Sequence, residues 1–280
     1  MLRTLSFIAK HPLTRDRPIA GFARFARWQI ESRLKPEVEF EWIAGAKLLA
    51  HNGMTGATGN IYCGLHEFAD MAFVLHLLQP GDLFVDVGAN IGSYTVLASA
   101  IACASTIAVE PDPGTIMSLK RNIDLNNIGA LVVPLEVAVG AKAGIARFTV
   151  GLDTINHLAT DHDSNTREVE TRTLDDILLG HNPVLIKLDV EGFEGGVIAG
   201  GAETLRNPSL LAIETEGQEL EVVEPLKAAG FHQVFYDPFS RGFTPAPVHR
   251  HSNALFVRDE EACLERLKTA PKRHVLGRML

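Results

Sequence analysis

The stretch Leu83–Thr95 constrains this chain more than any other. It reads Leu-Phe-Val-Asp-Val-Gly-Ala-Asn-Ile-Gly-Ser-Tyr-Thr, so three apolar residues lead to Asp86, and Gly88 and Gly92 bracket a short turn. The apolar pattern then resumes. This order is typical of a buried strand, a tight glycine turn and a helix start, the construction that opens a nucleotide-type cofactor site. The stretch therefore predicts an α/β fold with a ligand at the carboxyl end of a central strand.

The middle of the turn narrows the choice of cofactor. Asn90 stands where a dinucleotide-binding fold has a second glycine, the residue that lets the backbone approach a pyrophosphate. A cofactor with adenosine but no pyrophosphate suits this turn better, and S-adenosylmethionine is the obvious candidate. A nicotinamide-dependent oxidoreductase is the alternative, because it shares the layout of strand, turn and acid.

A second acid follows at the spacing that a nucleoside cofactor requires. Glu110 lies 24 residues after Asp86, at the end of a predicted buried strand, Thr106–Val109. An acid about 20 residues after the turn holds a ribose diol, because a carboxylate accepts both hydroxyl protons. A solvated strand-end carboxylate is the plainer interpretation of Glu110 alone, but its combination with the turn favours a cofactor site.

Further cofactor contacts are predicted around these two acids. Asp86 would position the methionine end, and the small Ala138 would let adenine lie against the backbone. Glu67 comes shortly before the first strand and suits either a cofactor contact or an exposed helix start. The full set of predicted cofactor residues is Glu67, Asp86, Gly88, Ala89, Asn90, Gly92, Glu110, Pro111, Ala138 and Asp189.

The catalytic candidates cluster after the fourth predicted strand of the sheet, Val184–Leu188. Asp189, Glu191 and Glu194 fall within six residues there, at the sheet edge where ligands of open α/β folds bind. Asp189 is the leading candidate for a general base and Glu191 the second, although each could instead hold the cofactor or cap the next helix. Lys187 inside the strand could pair with a neighbouring carboxylate and is assigned no functional role.

Two further site hypotheses concern a loop and a metal. His157 lies in the long polar loop 151–167 and could deprotonate a hydroxyl near neutral pH, or be structural. A Mg²⁺ site built from Asp189, Glu191 and Glu214 is chemically feasible, because carboxylates suit hard cations. No dedicated ligand spacing marks such a site, so no metal is predicted.

The order of elements predicts the architecture. Strands and helices alternate from residue 83 onward, which indicates a mainly parallel sheet with helices on both faces. Residues 1–35 show helical spacing, residues 38–62 read as short strands and glycine turns, and Leu131–Val139 reads as one strand. The predicted organisation is an N-terminal extension (1–62), a Rossmann-like domain (63–260) and a basic C-terminal tail (261–280).

Charge and cysteine content limit the partners. The net charge of −8 argues against nucleic acid, which needs a basic face. Residues 1–35 nevertheless hold eight Lys/Arg against two acids, and residues 264–280 hold five against one. These ends could pack on the domain, close over it as a lid or contact a membrane surface peripherally; a non-catalytic scaffold at a membrane is a further alternative. The three widely spaced cysteines fit a reducing cytoplasm.

At this point the motifs resemble a known family, the FkbM-type methyltransferases. The resemblance covers roughly residues 60–258 and rests on these segments: Gly64–Phe68, Gly81–Thr95, Glu110-Pro111, Thr173–Asp176, Ile186–Glu194, Gly230-Phe231 and the strand after Asn253. It implies a class I Rossmann-like fold with a central, mainly parallel seven-stranded sheet. It also implies S-adenosylmethionine as methyl donor and O-methylation of a small-molecule or glycan acceptor, such as a sugar, glycolipid or natural product.

Overall fold

The structure is a computed structural model that describes residues 1–51, 54–149, 157, 165–248 and 253–280. The helices are α1 (Leu2–Lys10), α2 (Pro18–Leu34), α3 (Thr55–Cys63), α4 (Phe68–Leu77), α5 (Ser93–Val96), α6 (Pro113–Leu125), α7 (Leu174–Ile177), α8 (Glu194–Ala199), α9 (Leu220–Ala228) and α10 (Glu260–Thr269). The strands are β1 (Val38–Glu41), β2 (Lys47–Ala50), β3 (Leu83–Val87), β4 (Ser105–Val109), β5 (Val132–Leu135), β6 (Ala138–Val139), β7 (Gly144–Thr149), β8 (Thr166–Arg172), β9 (Leu185–Leu188), β10 (Ala212–Thr215), β11 (His232–Asp237), β12 (Gly242–Thr244), β13 (Ala254–Val257), β14 (His274–Val275) and β15 (Arg278–Met279).

The central sheet has the strand order β5-β4-β3-β9-β10-β13-β11-β12. The pairs from β5 to β10 are parallel, whereas β13 is antiparallel to both β10 and β11. The predicted α/β fold with a mainly parallel sheet is confirmed. The short strand β12 pairs with β11 and adds an eighth strand at the edge.

Helices cover both faces of this sheet, which explains why its middle strands β3, β9 and β10 are buried along almost their whole length and are largely apolar. Phe84 and Leu185 pack on one side with α4 and α10. Val85 and Ile186 pack on the other side with α7, α8 and α9. The alternation along β3 and β9 places successive side chains in two separate cores, and Lys187 is a charged residue within this apolar frame.

The N-terminal segment packs against the start of the glycine-turn region. Ile8, Trp28 and Cys63 belong to one buried cluster that also contains Ile91, the residue after Asn90. Strand β2 is tied to α6, since the Leu49 N–H donates to Asn122 Oδ1 at 2.8 Å. The helices expected within residues 1–35 are confirmed as α1 and α2.

Two secondary-structure predictions are wrong. Residues 55–62, expected to form short strands and glycine turns, are instead helical, because α3 begins at Thr55. Packing overrides the poor helix propensity of this glycine-containing stretch; a Cβ on Gly59 would lie 2.4 Å from the His66 ring. The span Leu131–Val139 is two strands, because β5 is an edge strand of the central sheet and the chain then leaves it to pair β6 with β8.

Residues 87–109 contain no Asp, Glu, Lys or Arg, but they do not form one long apolar helix. It contains the end of β3, the glycine turn, α5, a π-helical turn (Leu97–Ile101) and β4, in agreement with the sequence pattern. Among the described residues, no helix is both long and apolar enough to cross a membrane. Cys63, Cys103 and Cys263 are free thiols.

Candidate active site

The carboxyl ends of β4, β3 and β9 border one cavity of about 270 Å³. Parallel pairing sets Val87 beside both Val109 and Leu188, so the residues that follow these strands meet at one edge of the sheet. The predicted site residues that line the cavity are Glu67, Asp86, Gly88, Ala89, Asn90, Glu110, Pro111, Ala138, Asp189 and Glu191.

Gly92 and His157 do not line this cavity. Gly92 has a φ of +90°, and a Cβ there would lie 2.4 Å from Leu119 Cδ1, so the residue lets the turn pack closely on α6. The ring of His157 stacks on Phe193 with centroids 6.2 Å apart, and Phe193 lines the cavity. The rest of the polar loop, 151–156 and 158–164, lies outside the described residues.

The turn presents a surface without free backbone donors. The N–H groups of Gly88 and Ala89 both donate to Val109 O, at 2.9 and 3.0 Å. The Asn90 N–H donates to Glu110 Oε2 at 3.0 Å. Binding of a pyrophosphate at such a turn depends on free N–H groups, so this geometry favours a cofactor that lacks one.

Glu110 joins the turn to the end of β4. Its second oxygen, Oε1, accepts the Asp112 N–H at 2.9 Å, and the side chain is 7% exposed. Burial raises the pKa of Glu110 to about 7, although the two backbone N–H donors oppose this shift. A ligand diol that donates to the ionised carboxylate would compensate for this burial.

The pKa of Glu110 predicts how cofactor affinity depends on pH. A ribose diol needs the ionised carboxylate of Glu110, whose pKa is about 7. Affinity for S-adenosylhomocysteine should therefore reach its plateau well above pH 7 and decrease as pH falls below it. The expected fall is about tenfold per pH unit at most, because one proton is taken up. Calorimetric titration across this range measures it. Glu110→Gln should bind more weakly and lose the pH dependence; a pH-independent wild-type affinity would contradict the assignment.

Asp86 supplies an acceptor suited to the methionine end of the cofactor. Its Oδ2 accepts the Thr95 hydroxyl at 2.7 Å. Its Oδ1 is buried, and no partner for it occurs in the part of the chain that the structure describes. Burial raises the pKa of Asp86 despite the nearby Lys187 cation. An ammonium group in the cavity would satisfy this oxygen, so the residues present fit S-adenosylmethionine.

Lys187 pairs with a neighbouring carboxylate, as the sequence suggested, but its place in the site was not predicted. Its side chain lines the cavity, is almost fully buried, and places Nζ 2.5 Å from Asp189 Oδ2. Nζ also lies 4.7 Å from the centroid of the Tyr94 ring. Although burial opposes it, the carboxylates of Asp189 and Glu214 raise the pKa of Lys187, so the amine is held as a cation. The only sequence signal was a charge within an apolar strand pattern.

Buried acids surround this cation. The Tyr94 hydroxyl donates to Glu67 Oε2 at 2.7 Å, and Asn253 Nδ2 donates to Glu214 Oε1 at 2.8 Å. Burial raises the pKa of Glu214 to about 8, despite the opposing charge of Lys187. Burial, with the charges of Glu214 and Glu67, also raises the pKa of Asp70 well above its ordinary value. The network joins α4, β9, β10 and the start of β13 behind the cavity.

A second group of acids lies at the cavity itself. Carboxylate oxygens of Asp189, Glu191 and Glu216 all lie within 4.8 Å of one another. The structure thus groups Asp189 and Glu191 with Glu216 rather than with Glu214, which belongs to the Lys187 network. Burial and the charges of Asp189 and Glu191 raise the pKa of Glu216 to about 7. Glu216 is not among the residues that the sequence motifs singled out.

Together these features define a class of protein. A parallel sheet with an antiparallel strand near one edge carries a glycine turn after β3, an acid after β4 and an acidic cluster after β9. This is the arrangement of a class I Rossmann-like methyltransferase. Residues 86–234, more than half of the chain, match the model of the methyltransferase FkbM domain. The chain belongs to this methyltransferase family, whose cofactor is S-adenosylmethionine and not a nicotinamide.

Two curated relatives are similar over part of their length. The chain is 26% identical to the hexuronic acid methyltransferase AglP of Haloferax volcanii, over 50% of this chain and 59% of that protein. It is 27% identical to the 31-O-demethyl-FK506 methyltransferase FkbM of Streptomyces tacrolimicus, over 62% of this chain and 83% of that protein. The chain therefore spans less than two thirds of the first relative.

Solved structures share the fold more distantly. TYW2 of M. jannaschii in complex with AdoMet has a TM-score of 0.43 and 14% identity, over 80% of this chain and 88% of that one. An rRNA methylase from Streptococcus thermophilus has a TM-score of 0.41 and 11% identity, over 66% of this chain and 90% of that one. The family assignment depends on the domain match and not on these likenesses.

Proposed function

We propose that this protein transfers a methyl group from S-adenosylmethionine to a hydroxyl oxygen of a sugar, glycolipid or natural product. The observation that carries the proposal is the group of three carboxylates, Asp189, Glu191 and Glu216, at the cofactor cavity. An alcohol is a poor nucleophile and benefits from a positioned base. The relatives named for hexuronic acid and for 31-O-demethyl-FK506 methylation support an oxygenated acceptor.

The cofactor, when bound, supplies an electrophilic methyl group. Glu110 would hold its ribose, Asp86 its ammonium group and Ala138 its adenine, while Gly88, Ala89 and Asn90 form the wall against which it packs. Fixing the acceptor and donor in line can contribute about 7–11 kcal/mol through proximity alone. The protein's main task is therefore to hold both molecules and to accept one proton.

We propose Asp189 as the residue that accepts the hydroxyl proton. Lys187 Nζ holds its Oδ2, which fixes the carboxylate at the end of β9. Glu216 is the second candidate, because its pKa of about 7 matches the task near neutral pH. Glu191 has a raised pKa from burial and from its acidic neighbours, and stays a candidate as well.

The reaction is tested with methyl-labelled S-adenosylmethionine and a panel of hydroxyl compounds: glucuronides, neutral glycosides and polyketide alcohols. Mass spectrometry should detect a labelled methyl ether together with S-adenosylhomocysteine. Transfer of the label to nitrogen or carbon instead of oxygen would contradict O-methylation. Calorimetry with S-adenosylhomocysteine is the companion experiment, and a protein that does not bind it would contradict the cofactor site.

The base is tested by Asp189→Asn, which keeps the side chain's shape and removes its basicity. We expect kcat to fall about 100-fold, with little change in affinity for S-adenosylhomocysteine. Asp124→Asn is the matched control, because Asp124 is an exposed residue of α6 outside the cavity. Glu216→Gln is measured beside it. A 100-fold loss in Glu216→Gln, with Asp189→Asn still active, would assign the base to Glu216 instead.

A further inference from the structure

A second cavity lies beside the cofactor cavity and shares part of its wall. Its volume is about 1000 Å³, and it shares His66, Glu67 and Glu216 with the cofactor cavity. Glu216, one of the three carboxylates at the cofactor site, therefore lies at the junction of the two spaces. A molecule in the second cavity can present a hydroxyl group toward the cofactor cavity.

One face of α1 forms a wall of this second cavity. Arg3, Phe7 and Lys10 line it, and their spacing of four and three residues places them on the same side of the helix. The helix is anchored by its opposite side. Ile8 is fully buried, and a Cβ on Gly21 would lie 2.4 Å from Ile8 Cγ2, so α1 and α2 are in close contact.

The wall is basic and not internally neutralised. Within the described part of the chain, neither Arg3 nor Lys10 forms a salt bridge. Arg15 also lines the cavity, and among the described residues its one salt bridge is to Asp16, at 3.9 Å, with both side chains more than half exposed. These cations stand out on a chain with a net charge of −8. They create a local positive potential that favours an anionic group.

The stability of α1 does not explain why Arg3 and Lys10 lie on the side of the helix that faces the second cavity. A cation near a helix N-terminus opposes the helix dipole, so Arg3 in the first turn is unfavourable for α1 itself. Lys10 lies in the last turn, where a cation interacts favourably with the helix dipole. The feature that both residues share is their position on the cavity wall. Apolar surface lies between them, since Phe7 packs edge-on against His66, with ring centroids 5.2 Å apart.

We propose that the second cavity is the acceptor site, and that the acceptor carries an anionic group, a carboxylate or a phosphate, bound by Arg3 and Lys10. Its hydroxyl group then points toward Glu216 and the cofactor cavity, and its ring packs on Phe7. This inference rests on the proposed methyl transfer to a hydroxyl and adds the charge of the substrate and the helix that recognises it.

The test uses the full chain saturated with S-adenosylhomocysteine. Calorimetry compares three probes that share a glucose ring: methyl glucuronide, glucose 6-phosphate and uncharged methyl glucoside. At least one anionic probe should bind about tenfold or more tightly than methyl glucoside. The tighter of the two anionic probes identifies the carboxylate or the phosphate as the recognised group.

The double variant Arg3→Gln/Lys10→Gln should weaken binding of that anionic probe about tenfold or more, and leave affinity for S-adenosylhomocysteine unchanged. Arg33→Gln/Lys35→Gln is the matched control, because it removes the same charge from exposed positions at the end of α2. Equal binding of charged and neutral probes, no binding of either anionic probe, or an anionic affinity unchanged in the α1 variant would overturn the inference. If the wild-type protein did not bind S-adenosylhomocysteine, that result would instead contradict the proposed cofactor site.

Discussion

Replacing Lys187 by methionine is expected to lower the free energy of unfolding by about 3–5 kcal/mol, because it leaves buried acids without their cation. Methionine has a similar length and shape, so the packing loss is small. The ammonium group lies 2.5 Å from Asp189 Oδ2 and, although burial opposes protonation, the charges of Asp189, Glu214, Glu67 and Asp86 raise its pKa. Removal of the ammonium group therefore leaves the repulsion between these nearby carboxylates uncompensated.

The loss of unfolding free energy caused by Lys187→Met should increase with pH. Burial raises the pKa of Glu214 to about 8, so its neutral form stabilises the folded state at low pH and this stability is lost as pH rises toward that value. Without Lys187, ionisation of Glu214 in the folded state costs more, so the difference in unfolding free energy between variant and wild type should widen as pH rises through about 8, within the range from about pH 6 to pH 9. Urea unfolding at both ends of this range measures the difference.

The matched control is Lys227→Met. Lys227 is exposed on α9, with Nζ 3.0 Å from Glu224 Oε1. Exposed ion pairs of this kind contribute about 0–1 kcal/mol. Equal effects of the Lys187 and Lys227 substitutions would show that the buried network does not depend on the lysine charge.

Gly88→Ala is expected to cost about 3–5 kcal/mol of stability, from a left-handed backbone and from steric overlap together. Gly88 has a φ of +79°, and a Cβ there would lie 1.8 Å from the carbonyl oxygen of Asp189. That neighbour is backbone directly after β9, and the hydrogen bond from Asp189 N–H to Val87 O at 3.0 Å holds it beside β3, so it cannot rotate away as a side chain can. Relief of the overlap would separate the turn from the end of β9, so affinity for S-adenosylhomocysteine should fall as well.

Gly81→Ala separates the two contributions. Gly81 has a φ of +92°, but a Cβ there would meet nothing within 4 Å. The expected cost is the backbone penalty alone, about 1–2 kcal/mol. Urea unfolding of the two variants gives the difference directly. If Gly81→Ala and Gly88→Ala lost the same stability, the close approach of the turn to Asp189 would not be a constraint on the fold.

Local patterns were reliable where a single signal dominated. The strand, turn and acid around Asp86 and Glu110 lie where the sequence pattern places them, and the helical spacing of residues 1–35 corresponds to α1 and α2. Predictions failed where packing overrode local preference, as in α3, or where a strand edge let the chain change sheets, as between β5 and β6. In both cases the deciding contacts come from residues distant in sequence.

The sequence by itself determined the family, the cofactor and the line of residues that would meet at the sheet edge. These predictions depend on residues that are close together in the sequence, because a strand, a tight turn and a strand-end acid form a recognisable cofactor motif within a few dozen residues. Only the tertiary structure decided that Lys187 neutralises buried acids, that Glu216 borders two cavities and that α1 turns Arg3 and Lys10 toward one of them. Burial, charge balance and helix orientation depend on contacts between distant segments, and no local pattern specifies those contacts.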